Sequence, residues 1–283
     1  MRAWVSVLDG PRPAVMGIVN VTPDSFSDGG RWLRPDDAVR HGLDLVAEGA
    51  DVLDVGGEST RPGAAPVDAE EERRRVVPVV RALAADAGVP VSVDTAKASV
   101  AAAAIEAGAT VVNDVTAGRG DPRMLATVAE AGAGYVAMHM QGEPRTMQDH
   151  PHYDDVVVEV ADFLSERLEA CRSAGIAPDG LVADPGIGFG KTLHHNLELL
   201  AGLPQLASRV DAPLLVGTSR KSFLGRLLGG AHAAEREEAT LATVVWSFDR
   251  GARMVRVHDV RAAARAATLL TLLRVATPEG AAA

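Results

Sequence analysis

The chain has 283 residues, of which 47% are hydrophobic and 4% aromatic, and a formal net charge of -10. That length suits one large α/β barrel domain or two smaller domains, and the acidic balance argues against a nucleic-acid binder, whose footprint is basic. A single cysteine, Cys171, excludes an internal disulfide and a cysteine-based metal site.

The N-terminus lacks the basic start and apolar core of a secretory signal, and no apolar stretch reaches the roughly 18 residues of a membrane span. A soluble, cytoplasmic protein with no membrane partner is expected. Eight short apolar runs follow in order: Val15–Asn20, Val52–Glu58, Val91–Asp94, Val111–Asp114, Tyr135–His139, Leu181–Asp184, Leu214–Lys221 and Met254–His258. Each ends on polar or charged residues. A buried strand gains nothing from such an ending unless its C-terminal end opens onto a site, and in a parallel barrel all those ends share one face.

Between the runs lie amphipathic stretches. Val39, Leu43 and Val46 are expected to share the buried face of the first helix. Further helices are expected over Asp68–Ala87, Asp154–Ala174, Glu235–Arg250 and Val260–Val275. Helical stretches stop at Gly49, Gly88, Gly108, Gly132, Gly175 and Gly251, and a β-rich run follows each within a few residues. Repetition of strand, helix and glycine favours an α/β fold of the (β/α)8 TIM-barrel type over an open doubly wound sheet. No linker interrupts it, so residues 1–275 are read as one domain and 276–283 as a disordered tail. The first two βα loops, Val21–Pro35 and Ser59–Val67, are long and rich in Gly, Pro and Ser, and are expected to be mobile lids.

Several motifs carry little. Gly186 to Thr192 resembles a phosphate-binding loop but is one residue short, with Pro185 in place of the first glycine. His150, His152, His194 and His195 lack a third ligand at metal spacing and read as loop or surface histidines. The strand-end residues say more as a set. Individually, Asp94 or Asp184 could cap a helix, Asn113 could satisfy a turn, and Arg256 could pair with Asp259 or Glu58. Together, Asp94, Asp184, Asn113 and Lys221 form a donor/acceptor array suited to a flat polar heterocycle. Arg61, Arg220, Lys221, Arg256 and His258 place cations at the ends of strands two, seven and eight, where barrels commonly bind phosphate. Asn20, Asp24 and Asp28 supply oxygen atoms of the kind Mg2+ prefers.

The long motifs at Met16–Gly30, Asp54–Gly63, Ser92–Thr95, Asn113-Asp114, Asp184–Lys191, Ser219–Lys221 and Arg256–His258 together resemble the dihydropteroate synthase family over roughly Met16 to Leu273. The resemblance implies a homodimeric TIM barrel that condenses a dihydropterin pyrophosphate with p-aminobenzoate, uses Mg2+, and is inhibited competitively by sulfonamides. It implies that Asp94, Asn113, Asp184 and Lys221 hold the pterin, supported by Met138 and Phe189. Arg256 would stack on the ring and contact the pyrophosphate with His258, Asn20 and Thr60. Asn20 and Asp28 would bind the metal. Phe26, Thr60, Arg61, Pro62, Phe189, Lys221 and Ser222 would form the p-aminobenzoate pocket. Asn20, Asp94, Lys221, Arg256 and His258 would carry the catalysis. Two rivals remain: a pterin-binding methyltransferase that would not need the Arg256/His258 pair, and a non-enzymatic paralogue that binds pterin or a partner protein.

Overall fold

The computed structural model describes residues 2–22, 35–60, 64–143 and 145–276. Residues 23–34 of the first expected lid, 61–63 of the second and 277–283 of the expected loose tail therefore lie outside the described residues. Eight strands form one sheet: β1 (Ala14–Asn20), β2 (Val52–Gly56), β3 (Val91–Asp94), β4 (Val111–Asp114), β5 (Gly134–Met138), β6 (Leu181–Asp184), β7 (Leu215–Val216) and β8 (Met254–Val257). Their order is β6-β5-β4-β3-β2-β1-β8-β7, and every pairing is parallel. A bridge from Ala183 to Leu214, with the Ala183 N–H donating to the Pro213 carbonyl at 3.0 Å, joins β6 to β7 and closes the ring. This is the (β/α)8 barrel that the repeating pattern predicts.

The helices are α1 (Arg2–Leu8), α2 (Pro35–Ala47), α3 (Ala69–Asp86), α4 (Ala98–Glu106), α5 (Met124–Ala131), α6 (Val156–Ser173), α7 (Leu193–Ala201), α8 (Leu203–Arg209), α9 (Ser222–Leu227), α10 (Glu237–Asp249) and α11 (Val260–Val275). Side-chain caps start several of them. Asp68, Asp155 and Asp259 accept from the backbone N–H groups of Glu71, Val158 and Ala262, which satisfies donors that a helix start leaves open. All six glycine stops read from the sequence have positive φ, from 61° at Gly132 to 113° at Gly108, a region open to glycine at little cost.

Three local expectations are corrected. The fully buried stripe of α2 is Ala38, Gly42 and Leu45; Val39 and Val46 pack half-buried against the core as expected, whereas Leu43 is exposed. Gly42 turns the helix this way: a Cβ there would lie 2.8 Å from a methyl of Leu83, so the missing side chain lets α2 seat against α3. The run Leu214–Lys221 is strand only at Leu215–Val216; beyond it the chain turns, with the Lys221 N–H bonded to the Thr218 carbonyl at 3.2 Å and Arg220 at φ 57°. The run Val52–Glu58 ends as strand at Gly56, and Glu58 instead meets Lys97 at 2.5 Å.

Alternation along the strands divides the core. Met16, Val52, Val111, Val136, Val182, Leu215 and Met254 fill the lower barrel interior. Trp4 and Leu8 of α1, a helix the sequence pattern did not suggest, plug the N-terminal end of that cluster. Trp4 is fully buried, and its indole N–H donates to the Gly180 carbonyl at 3.0 Å. With that end closed, the polar residues one pleat further along the strands stand at the C-terminal mouth.

Candidate active site

The register explains how distant residues become neighbours. Asn20 pairs with Gly56, Gly56 with Asp94, and Asp94 with Asn113, all on successive strands. Met138 pairs with Asp184 across β5 and β6. Two residues below these on β2 sits Asp54, and in the same direction on β8 lies Arg256. Gly56 keeps space open between strands: a Cβ there would lie 3.6 Å from that of Asp94 and 3.9 Å from Oδ1 of Asn20.

Arg256 is the electrostatic centre. Its Nε donates to Oδ2 of Asp54 at 2.6 Å, and a terminal nitrogen donates to Oδ2 of Asp94 at 2.7 Å. Asn113 donates from Nδ2 to the same Asp54 oxygen at 3.0 Å. The alternatives of pairing with Asp259 or Glu58 are not realised, because Asp259 caps α11 and Glu58 is taken by Lys97. Burial opposes the guanidinium charge, but Asp54 and Asp94 outweigh it and raise the Arg256 pKa above its ordinary value. Burial pushes Asp94 up to about 7; Arg256 pulls it back and Asp54 adds to the rise. Asp54 is fully buried, and its Oδ1 has no hydrogen-bond partner among the described residues.

The opposite wall is formed by the β6–α7 connection. Burial raises the Asp184 pKa, against the nearby positive charge of Lys221, while its Oδ1 accepts from the Gly186 N–H at 2.7 Å. Burial lowers Lys221 to about 8, against the pull of Asp184. The Lys221 ammonium bonds the Ile187 carbonyl and lies 4.7 Å from the centre of the Phe189 ring. Met138 is buried beside Met140, Val115 and Met147, with Phe189 packed against the cluster. His258 follows Arg256 by two residues and is bonded through Nδ1 to Oγ of Ser219 at 2.9 Å. That hydroxyl also accepts from the His258 N–H at 3.1 Å, which ties β8 to the turn after β7.

Asp94, Asn113, Asp184, Lys221 and Arg256 are thus brought together, with Asn20, Met138, Phe189 and His258 around them. Arg220 is not: it turns to Glu237 of α10 at 2.9 Å. Thr60 is half-buried four residues past β2, and Ser222 is the exposed first residue of α9. Asp24, Phe26, Asp28, Arg61 and Pro62 lie outside the described residues. Asp54 is the member that the strand-end reading passed over. Its parity with Val52 and Gly56 on an alternating strand puts it on the inner face, and that signal was available in the sequence.

A barrel mouth carrying two carboxylates, an amide and half-buried cations in this register defines an enzyme site for a polar, nitrogen-rich ring. The description "Pterin binding enzyme" matches residues 16–258. A dihydropteroate synthase of Mycobacterium leprae is 52% identical over 254 residues, covering 88% of this chain and 89% of that protein. The solved dihydropteroate synthase of Xanthomonas albilineans with 4-aminobenzoic acid superposes with a TM-score of 0.88 at 50% identity, covering 96% and 95% of the two chains. That of Yersinia pestis in a sulfonamide drug complex gives 0.89 at 46% identity, covering 95% and 96%. The chain belongs to the pterin-binding enzyme family, among the dihydropteroate synthases.

Proposed function

We infer that this chain condenses 6-hydroxymethyl-7,8-dihydropterin pyrophosphate with p-aminobenzoate to give 7,8-dihydropteroate and pyrophosphate, a transferase reaction, and that sulfonamides compete for the p-aminobenzoate position. The observation that carries this reading is the convergence of Asp94, Asn113, Asp184 and Lys221 around Arg256. A pterin edge offers several N–H donors and one carbonyl, so carboxylates and an amide facing a cation match it. Without such a ligand, buried carboxylates are costly. The methyltransferase rival is disfavoured by the presence of His258 beside Arg256, a pair with no diphosphate to bind in that chemistry.

In this reading Asp94, Asn113 and Asp184 accept from and orient the ring, Lys221 donates to it, and Met138 and Phe189 pack on it. Asp54 does not meet the ring; it orients Asn113 and Arg256. Arg256 and His258, with Asn20 and Thr60, meet the diphosphate. Phe26, Thr60, Arg61, Pro62, Phe189, Lys221 and Ser222 form the p-aminobenzoate position. Departure of pyrophosphate leaves positive charge on the methylene, which the ring delocalises and the anionic Asp94 and Asp184 stabilise. The arylamine is neutral near pH 7 and attacks without a dedicated base.

Mg2+ fits the donors. Asn20 is half-buried at the end of β1 with an amide oxygen toward the gap left by Gly56. An ion that keeps several waters and leans on substrate phosphates needs only one or two protein oxygens, here those of Asn20 and Asp28. When bound, it would neutralise charge on the leaving diphosphate. A homodimer belongs to the same proposal and is supported by the exposed Leu269, Leu272, Leu273 and Val275 of α11. So does a cytoplasmic location; no helix among the described residues is long and apolar enough to cross a membrane.

The test is pyrophosphate release from the dihydropterin pyrophosphate with Mg2+. Release that depends on p-aminobenzoate is expected. Release independent of it, or none, would remove the reading.

A further inference from the structure

The β6–α7 connection is glycine-rich yet held at each step. Gly186, Gly188 and Gly190 have φ of 64°, 87° and 60°. A segment of this kind has many conformations open to it, and fixing each residue is opposed by lost conformational entropy. Its carbonyls are captured in turn: Gly186 by the Phe189 N–H at 3.0 Å, Ile187 by Lys221, Gly188 by Nε2 of Gln148 at 2.7 Å, Phe189 by Nζ of Lys191 at 3.0 Å, and Gly190 by the Tyr153 hydroxyl at 2.8 Å.

Lys221 belongs to the proposed ring site. Lys191 does not, and it is only 2% exposed. A lysine so placed is uncommon and expensive unless its donors are met. Its second contact is Nδ1 of His139 at 2.8 Å. Burial, with Lys191 adding to it, drives His139 down to about 2 and also holds Lys191 well below its ordinary value, so the imidazole is neutral and its Nδ1 shares one hydrogen bond with Nζ. That ring is clamped edge-on against Phe163, with centroids 4.8 Å apart. The His139 N–H donates to the carbonyl of Asp184 at 2.9 Å.

We propose that Lys191 and His139 are positioning residues for the pterin site: the Nζ bridge from His139 Nδ1 to the Phe189 carbonyl fixes the connection so that Phe189 lies over Lys221 and Asp184 faces the mouth. This deepens the functional reading above and rests on it. The bridge joins the end of β5 to the far end of the connection, and the backbone bond from His139 to Asp184 anchors its near end. An apolar side chain at 191 would leave the Phe189 carbonyl and His139 Nδ1 without partners in a dry interior, and the glycines would let the segment move to find others. The Phe189 ring would move with it.

The experiment compares the parent with Lys191→Met, Lys191→Arg and His139→Phe. Binding of 6-hydroxymethylpterin, which lacks the diphosphate, is measured by calorimetry without metal or p-aminobenzoate. KM for each substrate is then measured with the other saturating. K191M and H139F are expected to weaken pterin binding by about tenfold or more, and K191R, which keeps the donors, to recover it to within about threefold. KM for p-aminobenzoate should rise as well, because the displaced Phe189 ring also borders that position. If K191M is insoluble, H139F carries the result, because it removes the Nδ1 partner of Lys191 and keeps an aromatic ring to pack against Phe163. Variants that bind the pterin like the parent, whatever their melting temperature, overturn the inference alone. A parent that does not bind the pterin overturns the functional reading, and this inference with it.

Discussion

Replacing Asp54 by asparagine tests whether a residue that never meets the substrate organises the site. Asp54 Oδ2 is the shared acceptor for Arg256 Nε at 2.6 Å and Asn113 Nδ2 at 3.0 Å, and the side chain is fully buried. The amide in the Asp54→Asn variant can offer one neutral carbonyl oxygen in place of the carboxylate. Hydrogen bonds to charged groups contribute about 1.5–3 kcal/mol and neutral ones about 0.5–1.5, so each of the two bonds should lose roughly 1–1.5 kcal/mol. The sum is about 2–3 kcal/mol, and it lowers Tm by roughly 4–12 °C in a chain of this size. The loss is not offset elsewhere, because Arg256 is half-buried and keeps only Asp94 as an ion-pair partner. Arg256 and Asn113 should also lose their aim, so kcat/KM should fall by about 30- to 150-fold, the kinetic equivalent of the same energy. Calorimetric melting and steady-state kinetics on the purified variant measure both quantities. A D54N protein with parental Tm and kcat/KM would show that Arg256 and Asn113 are held by something other than this carboxylate.

The pH profile gives a second check. Asp94, pushed up to about 7, is ionised above that pH, and Lys221, lowered to about 8, is protonated below that one. If both charged forms bind the ring, kcat/KM should peak between these values and fall on either side, since this parameter reports groups of the free enzyme; a flat profile from about pH 6 to 9 would count against both roles. Lys97→Met should cost about 3 kcal/mol or more in urea unfolding, because Nζ of Lys97 sits 2.5 Å from Glu58 and 2.6 Å from the fully buried Glu72. A loss below about 1 kcal/mol would mean that Glu72 finds another partner. Trp4→Ala should destabilise by about 3–5 kcal/mol through the hole left at the base of the barrel, with KM for both substrates unchanged. Altered KM values would show that the base of the barrel communicates with the mouth.

The alternation of strands and helices, and with it the barrel, was already written in the order of residues. Local physics writes that pattern: apolar runs of strand length, amphipathic helices, and glycines placed where a chain leaving a helix needs positive φ. The helix Val260–Val275 and the six glycine stops were legible for this reason. So was the set of strand-end polar residues, because a charge ending a buried strand stands out without any knowledge of its neighbours. Which residues face each other came only with closure of the ring. Arg256 meets Asp54 and Asp94, 202 and 162 residues away, because the closed ring sets β8 beside β1 and the twist brings β2 and β3 within reach. On α2 the close approach allowed by Gly42 accompanies the burial of Leu45 in place of Leu43, while Val39 and Val46 keep to the core side. Lys191 looked like the end of a failed phosphate loop. Burial against His139 made it an internal strut, and burial is a property of the assembled layers that no short stretch of chain contains.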